Sequence, residues 1–252
     1  MENKMIGIVG GVGSYAGIDL IKKIYDLTGA TSDEEHLPIS MLSVPHKVTD
    51  RTKFLLGDTT INPGIAIAEI IDSLLSNGSS IIGIPCNTAH AKPIFDLIKA
   101  RVPENCILIN LIEEVGLHLS TEYPEIKKVG VLGTTGTILA KVYPEILSKH
   151  GIEVIQPSEE IQNLFVHPSI YDATYGIKAY SNPVNIKATE NLNMAATYLS
   201  RKGAQAIILG CTEIPLAIQY QEIESSLIID ATAVLAKALI RESRKQVTES
   251  GN

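Results

Sequence analysis

The sequence predicts an α/β protein of two pseudo-symmetric lobes, each built on a parallel sheet, with the functional site in the cleft between them. Three observations carry that prediction. Short β-branched runs alternate with amphipathic stretches along most of the chain, the pattern of parallel sheets covered by helices. Three segments of the first half recur in the second half, in the same order and at nearly the same spacing. Each half also ends one of these segments in a cysteine.

In chain order, strands are expected over 5–10, 39–44, 80–84, 106–110, 128–132, 153–156, 206–209 and 227–230, all short runs rich in Ile, Val or Leu. Helices are expected over 16–28, 64–77, 92–100, 138–150 and 186–201, where apolar residues recur three and four apart. In such folds the site lies beyond the carboxyl ends of the strands. The repeat begins with Ile6-Gly7-Ile8-Val9-Gly10-Gly11 against Val129-Gly130-Val131-Leu132-Gly133-Thr134, an offset of 123 (6 to 129). Ile82-Gly83-Ile84-Pro85-Cys86 parallels Ile207-Ile208-Leu209-Gly210-Cys211, an offset of 125 (82 to 207). Leu108-Ile109-Asn110 parallels Ile228-Ile229-Asp230, an offset of 120 (108 to 228). Any one match is weak, and the agreement of the offsets is what indicates a duplicated lobe. If each terminal strand–helix unit crosses to the other lobe, the first lobe comprises residues 1–105 plus 220–252 and the second 106–219.

Composition narrows the function classes. The 252 residues are 45% apolar and 19% charged, ordinary for a soluble globular protein. A net charge of −7 and a pI near 5.4 argue against a nucleic-acid or anionic-membrane surface. No apolar run approaches the roughly 18 residues that span a bilayer, and the opening residues lack the pattern of a signal peptide. The three cysteines include no CxxC and no Cys/His cluster at zinc spacing, so no metal is expected. Sparse cysteines suit a reducing cytoplasm and make each thiol a candidate for chemistry.

A free cysteine is more often a small buried hydrophobe than a reactive group. Cys86 and Cys211 depart from that reading because both end an aliphatic run, both precede small polar residues, and both hold equivalent places in the repeat. Cys106 opens a strand and reads as structural. Two thiols facing each other across a cleft suit a reaction that takes a proton from one face of a carbon and returns one to the other. One must be thiolate and the other thiol, and a helix N-terminus after each would favour the thiolate. Helices are expected from residue 91 and, in a shorter form, from Pro215.

The segments Pro85-Cys86-Asn87-Thr88-Ala89-His90 and Gly210-Cys211-Thr212-Glu213-Ile214-Pro215 resemble the paired signatures of the Asp/Glu/hydantoin racemase superfamily. Ile8-Val9-Gly10-Gly11-Val12-Gly13, Asp50-Arg51-Thr52 and Gly133-Thr134-Thr135-Gly136-Thr137 resemble its aspartate racemase branch. The resemblance runs over nearly the whole chain. It implies a two-lobed racemase without cofactor, usually a homodimer, acting on a small acidic amino acid with Cys86 and Cys211 as the two acid/base groups. It further implies that Gly11, Asn87, Thr88, Thr134, Thr137 and Thr212 bind the α-carboxylate and amino group. Arg51, assisted by Lys178, would hold the side-chain carboxylate, and Glu213 would support Cys211. Aspartate is the first choice of substrate, with glutamate or a broader range as alternatives. The first loop departs from the usual Gly-Gly-Met-Gly-Pro at Val12, Ser14 and Tyr15.

Other readings remain open at this level. Arg51 alone is most simply a surface cation, and Lys141 and Lys187 compete with Lys178 on composition. His90 reads first as a structural histidine, with His46 and His167 ambiguous. Gly11-Val12-Gly13-Ser14-Tyr15-Ala16 also fits a dinucleotide fingerprint after a strand. That reading wants an acid at the end of the second strand, where Pro45-His46 stands instead. A two-lobed protein that binds an amino acid without turnover is the third reading, and it leaves the matched thiols unexplained.

Overall fold

The computed structural model describes residues 3–245. Residues 1–2 and 246–252, assigned to the first lobe from sequence, lie outside the described residues. In the first half, β1 (Ile6–Gly10), β2 (Ile39–Ser43), β3 (Ile81–Gly83) and β4 (Ile107–Leu108) form an all-parallel sheet in the order β2-β1-β3-β4. Its helices are α1 (Ser14–Thr28), α2 (Arg51–Leu56), α3 (Gly64–Ser76) and α4 (Lys92–Arg101). After β4 the chain passes through α5 (Leu111–Glu122) into the second half. There β5 (Lys128–Gly133), β6 (Glu153–Ile155), β7 (Ala206–Gly210), β8 (Glu222–Ile223) and β9 (Ser226–Asp230) form a sheet in the order β6-β5-β7-β9-β8. All its pairings are parallel except the short hairpin of β8 with β9.

The two strand orders are the same motif repeated: β1, β2, β3 and β4 correspond to β5, β6, β7 and β9. In each sheet the chain runs outward from the first strand to one side and then to the other. That reversal opens a crevice at the carboxyl ends of β1 and β3, and another at those of β5 and β7. The residues of β1 and β7 are buried throughout, as expected for strands covered on both faces.

The expected division at 105/106 and 219/220 does not describe the sheets. β4 pairs with β3 in the first sheet and β9 pairs with β7 in the second, so no strand changes lobe. The helices after them do change. α11 (Ala231–Arg244) packs on α1 and β3 of the first half, whereas α5 packs on α7 (Val142–Leu147) of the second. A parallel strand is held by the open edge of its neighbour, while the helix behind it goes wherever its apolar stripe is best covered. Asn110 and Asp230, the equivalent residues where this switch occurs, cap the two helices. Asn110 accepts from the N–H groups of Ile112 and Glu113 at 3.0 and 3.3 Å, and Asp230 from those of Thr232 and Ala233 at 2.8 and 3.1 Å. One apolar cluster therefore runs through both halves, joining Ile8 and Leu20 to Leu119, Tyr143, Ile208 and Leu239.

The helix expected over 138–150 starts earlier and is broken. Thr134 caps α6 (Thr135–Leu139) by accepting from Thr137 N at 3.1 Å, and the chain then turns at Lys141, whose φ of 49° is left-handed, before α7. A helical run follows as α8 (Glu159–Ile161) and α9 (His167–Tyr171), separated by a wider turn over Gln162–Val166, and α10 (Ile186–Arg201) precedes β7. Among the described residues, no helix is long and apolar enough to cross a membrane.

Candidate active site

The strands deliver one small polar cavity between the lobes. The segment after β1 supplies Val12, that after β3 supplies Cys86, Asn87 and Thr88, that after β5 supplies Thr134, and that after β7 supplies Cys211, Thr212 and Glu213. Arg51, Tyr171 and Lys178 complete its lining. The cavity measures about 10 Å³, room for roughly one water. Both thiols that line it are free and buried, at 6% exposure for Cys86 and 4% for Cys211. Cys106 is also free, lies away from this cavity, and has its thiol pushed up to about 11 by burial.

Contacts across the cleft hold these residues together. Thr212 Oγ1 donates to the carbonyl of Pro85 at 2.8 Å, tying the residue after one cysteine to the residue before the other. The hydroxyls of Thr88, Thr134 and Thr137 share hydrogen bonds at 2.8–3.1 Å. Tyr143 OH donates to Asn87 Oδ1 at 2.5 Å, leaving the buried Nδ2 of Asn87 without a partner. Thr137 thus touches the lining residues without lining the cavity itself. Gly11 stands apart, in a vestibule of about 230 Å³ that it lines with Gly13, Ser14, Tyr15, Asp50, Ser181 and three residues of the inner cavity, Arg51, Lys178 and Glu213. Gly11 has a left-handed φ of 78° and a side chain there would strike Pro45 at 2.8 Å, so the turn requires glycine.

Charge is distributed unequally between the thiols. Arg51 opens α2, where Asp50 caps the helix by accepting from Lys53 N at 2.9 Å. Arg51 is 7% exposed; its guanidinium donates to Val12 O at 2.9 Å and Thr49 O at 3.4 Å, and its Nε has no partner. Burial works against the charge of Arg51, but the neighbouring Cys86 and then Asp50 outweigh it and hold the guanidinium firmly protonated. Cys211 has a carboxylate instead: its Sγ donates to Glu213 Oε2 at 3.1 Å. Burial first, and then the charge of Glu213, push the Cys211 thiol well above its ordinary range. Glu213 itself is held below the usual carboxylate range. Burial opposes this, and the charge and hydrogen bond of Lys178, with the thiol's hydrogen bond, overcome it.

The helices expected after the cysteines form where predicted, α4 over Lys92–Arg101 and a short 3-10 turn over Ile214–Leu216. A 3-10 turn, Asn87–His90, separates Cys86 from α4, so no long helix starts at either thiol. The polarising groups near the thiols are therefore Arg51, Lys178 and Glu213 rather than a long helix. His90 is buried, donates from Nδ1 to Cys86 O at 2.8 Å and stacks on Phe95, while burial lowers its pKa to about 4. That is a structural histidine. His167 hydrogen-bonds Thr135 at 3.0 Å and stacks on Tyr171, and His46 is exposed. Lys187 lies over the Tyr175 ring at 4.0 Å, and Lys141 sits at the helix break. No group of three or more His, Cys, Asp or Glu among the described residues is arranged to hold a metal.

The Asp/Glu/Hydantoin racemase family model matches residues 9–239. The chain belongs to this family. It is 28% identical over 243 residues to the broad specificity amino-acid racemase RacX of Bacillus subtilis (strain 168), covering 94% of this chain and 96% of RacX. The Picrophilus torridus aspartate racemase superposes with a TM-score of 0.79 at 26% identity, covering 96% of this chain and 95% of that one. A Francisella tularensis glutamate racemase in complex with D-glutamate shares the fold, with a TM-score of 0.64 at 19% identity and coverage of 96% and 81%. Membership makes this a racemase-family protein, and amino-acid racemases are among its relatives.

Two residues at this site, one lining the cavity and one behind it, escaped the sequence reading. Tyr171 lines it, with its hydroxyl within reach of Asp50 and Thr52 at 3.2 and 3.1 Å, and Tyr143 orients Asn87. Neither lies in a motif; each is one of nine tyrosines in the chain and sits on a short helix. Only the meeting of distant elements selects them.

Proposed function

We propose that this protein racemises acidic amino acids, aspartate first, by transferring protons at Cα between Cys86 and Cys211 without a cofactor. The observation that carries the reading is that two free, buried thiols, one from each repeat, line a single cavity shared by both lobes. A proton leaves Cα to the thiolate on one face while the opposite thiol donates to the other face, and the carbon–hydrogen bond broken is replaced by a new one of inverted configuration. One cysteine acts as thiolate and the other as thiol; the Arg51 guanidinium stands beside Cys86, and burial with the Glu213 carboxylate favours the proton on Cys211. The reverse assignment serves the other enantiomer. Unpartnered Asn87 Nδ2, and the Thr88, Thr134 and Thr212 hydroxyls once released from their present bonds, would donate to the α-carboxylate and to the charge that develops on it. Arg51 would read the second carboxylate through its unpartnered Nε. The sparse cysteines and the family resemblance extend the proposal to a homodimer working in the cytoplasm.

The cavity is too small for an amino acid, so turnover requires the lobes to part or Lys178 and Glu213 to move toward the vestibule. A broader substrate range is the second reading. It is favoured by the similarity to RacX and by the ion pair that Lys178 makes with Glu213, which leaves Arg51 as the sole uncommitted cation of the cavity lining. Chiral chromatography of L-aspartate, L-glutamate and L-alanine, each incubated with dialysed protein, tests the function. Aspartate should approach a racemic mixture fastest. Arg51→Ala should weaken its turnover by about 1.5–3 kcal/mol and that of alanine far less. Inversion of none of the three would end the proposal, and equal loss for both substrates would remove the acidic assignment.

A further inference from the structure

The glycine-rich turn after β1 raises a question that its resemblance to a nucleotide fingerprint leaves unanswered: what needs the close approach? Gly11 is required by its own turn. Gly13 has a positive φ of 158° of its own, and it is also crowded by something on the other lobe. A side chain at Gly13 would place its Cβ 2.2 Å from Glu213 Oε1 and 2.8 Å from its Cδ. Glu213 belongs to the segment after β7, 200 residues on (13 to 213), and it is the residue that touches the Cys211 thiol with one oxygen and Lys178 with the other. Gly13 is also the residue from which α1 starts, with no side chain capping it, so the carboxylate lies at the positive end of a 15-residue helix. The equivalent position of the repeat, Gly136, likewise lies against the opposite lobe, at Thr52. The difference is in what would have to yield. Gly136 meets the Thr52 backbone at 3.0 Å, whereas the closest contact at Gly13 is the far end of a flexible side chain, with the Ala16 Cβ at 3.3 Å.

We propose that Gly13 is a positioning residue for the Cys211 half of the reaction: its bare backbone is what allows Glu213 to stand between the Cys211 thiol and Lys178. This rests on the reading of Cys211 as an acid/base group. Glu213 has an alternative place to go, because it also lines the vestibule of about 230 Å³. A methyl group at residue 13 would turn the carboxylate into that space, at the cost of some backbone strain at its φ of 158° and a 3.3 Å contact with the Ala16 Cβ. The thiol would then lose its acceptor and its negative neighbour while keeping Lys178. Tyr143, Tyr171, Arg51 and Cys86 also stand around it, and none of them is placed by residue 13. Burial raises the thiol in either case, and the part due to Glu213 is what would disappear.

The test reads Cys211 directly. Alkylation by iodoacetamide across a pH series, followed by mass spectrometry of the Cys211 peptide, gives the thiol's titration midpoint whether or not the protein turns over. In Gly13→Ala the midpoint should fall, as it should in Glu213→Gln, and the double variant should fall no further. Racemisation kcat/KM should drop by roughly tenfold or more, equally from both enantiomers because their equilibrium constant is one, and the basic limb of its pH profile should move to lower pH. A midpoint unmoved by Gly13→Ala but moved by Glu213→Gln overturns the proposal. If the midpoint falls in a protein that racemises nothing, the positioning stands and the proposed function fails. Should Gly13→Ala lose stability, adding Glu213→Ala should recover part of it in urea unfolding, the rest being backbone strain at residue 13 and its contact with Ala16. No recovery overturns the proposal as well.

Discussion

At the scale of the residue, the two thiols are alike in origin and unlike in surroundings. Each follows the second strand of a repeat to carry its signature, but a guanidinium stands by Cys86 and a carboxylate by Cys211. A two-base reaction demands both, so Cys86→Ala and Cys211→Ala should each abolish racemisation of aspartate. Each variant keeps one base on one face of Cα, and should therefore exchange the α-proton of only one enantiomer with deuterated solvent. Proton NMR of L- and D-aspartate should show opposite preferences for the two variants. Serine in place of either cysteine should be nearly as damaging, because a hydroxyl is too weak an acid to ionise near neutral pH. A variant at either position that racemises at a near wild-type rate would reduce that thiol to a packed core residue.

At the scale of the element, function depends on how helices begin. Arg51 and Thr134 both stand at the first turn of short helices that cannot be stable alone, and both starts are fixed by side-chain caps, Asp50 on α2 and Thr134 on α6. Asn110 and Asp230 cap the two helices that exchange lobes. Replacing a capping residue by alanine typically costs about 1 kcal/mol. Asn110→Ala should lower the urea unfolding free energy by that amount. Asp230→Ala should lower it further, because Asp230 also pairs with Lys23 at 2.8 Å. An unchanged midpoint in both variants would mean that packing of α5 and α11 into the shared core sets their start without help from the caps.

At the scale of the whole molecule, the two lobes share an apolar core on one side and meet through hydroxyls and carbonyls at the site. The core contacts joining β1, α1, α11 and β7 bury apolar surface that parting the lobes there would expose to water. The polar contacts, from Thr212 to Pro85, among Thr88, Thr134 and Thr137, and from Tyr143 to Asn87, can be exchanged for water or substrate at small net cost. Opening at that rim should be visible as amide hydrogen exchange. Saturating aspartate should slow exchange in peptides covering 50–56, 84–91 and 134–140 while leaving the buried strands β1 and β7 unchanged. Equal protection across the chain would indicate general stabilisation without closure, and no protection would argue that aspartate does not bind.

Much of this molecule follows from local sequence. The eight expected strands all form, because aliphatic runs bounded by glycine or polar residues have one buried arrangement in an α/β fold. The extra strand, β8, spans only Glu222–Ile223 and carries no apolar pattern to announce it. The duplication was legible too, since offsets of 123, 125 and 120 survive as equivalent strands in two sheets of the same order. So was the location of both cysteines, because a residue that ends a central parallel strand must emerge at the carboxyl edge. What the sequence left undecided are relations between residues far apart along the chain. Which helix crosses between lobes, that Tyr143 holds Asn87, that Lys178 is committed to Glu213, and that Gly13 makes room for that carboxylate are settled by packing alone. Hydrophobic patterning tells each segment that it must be buried. Only the assembled shape of the other segments tells it against what.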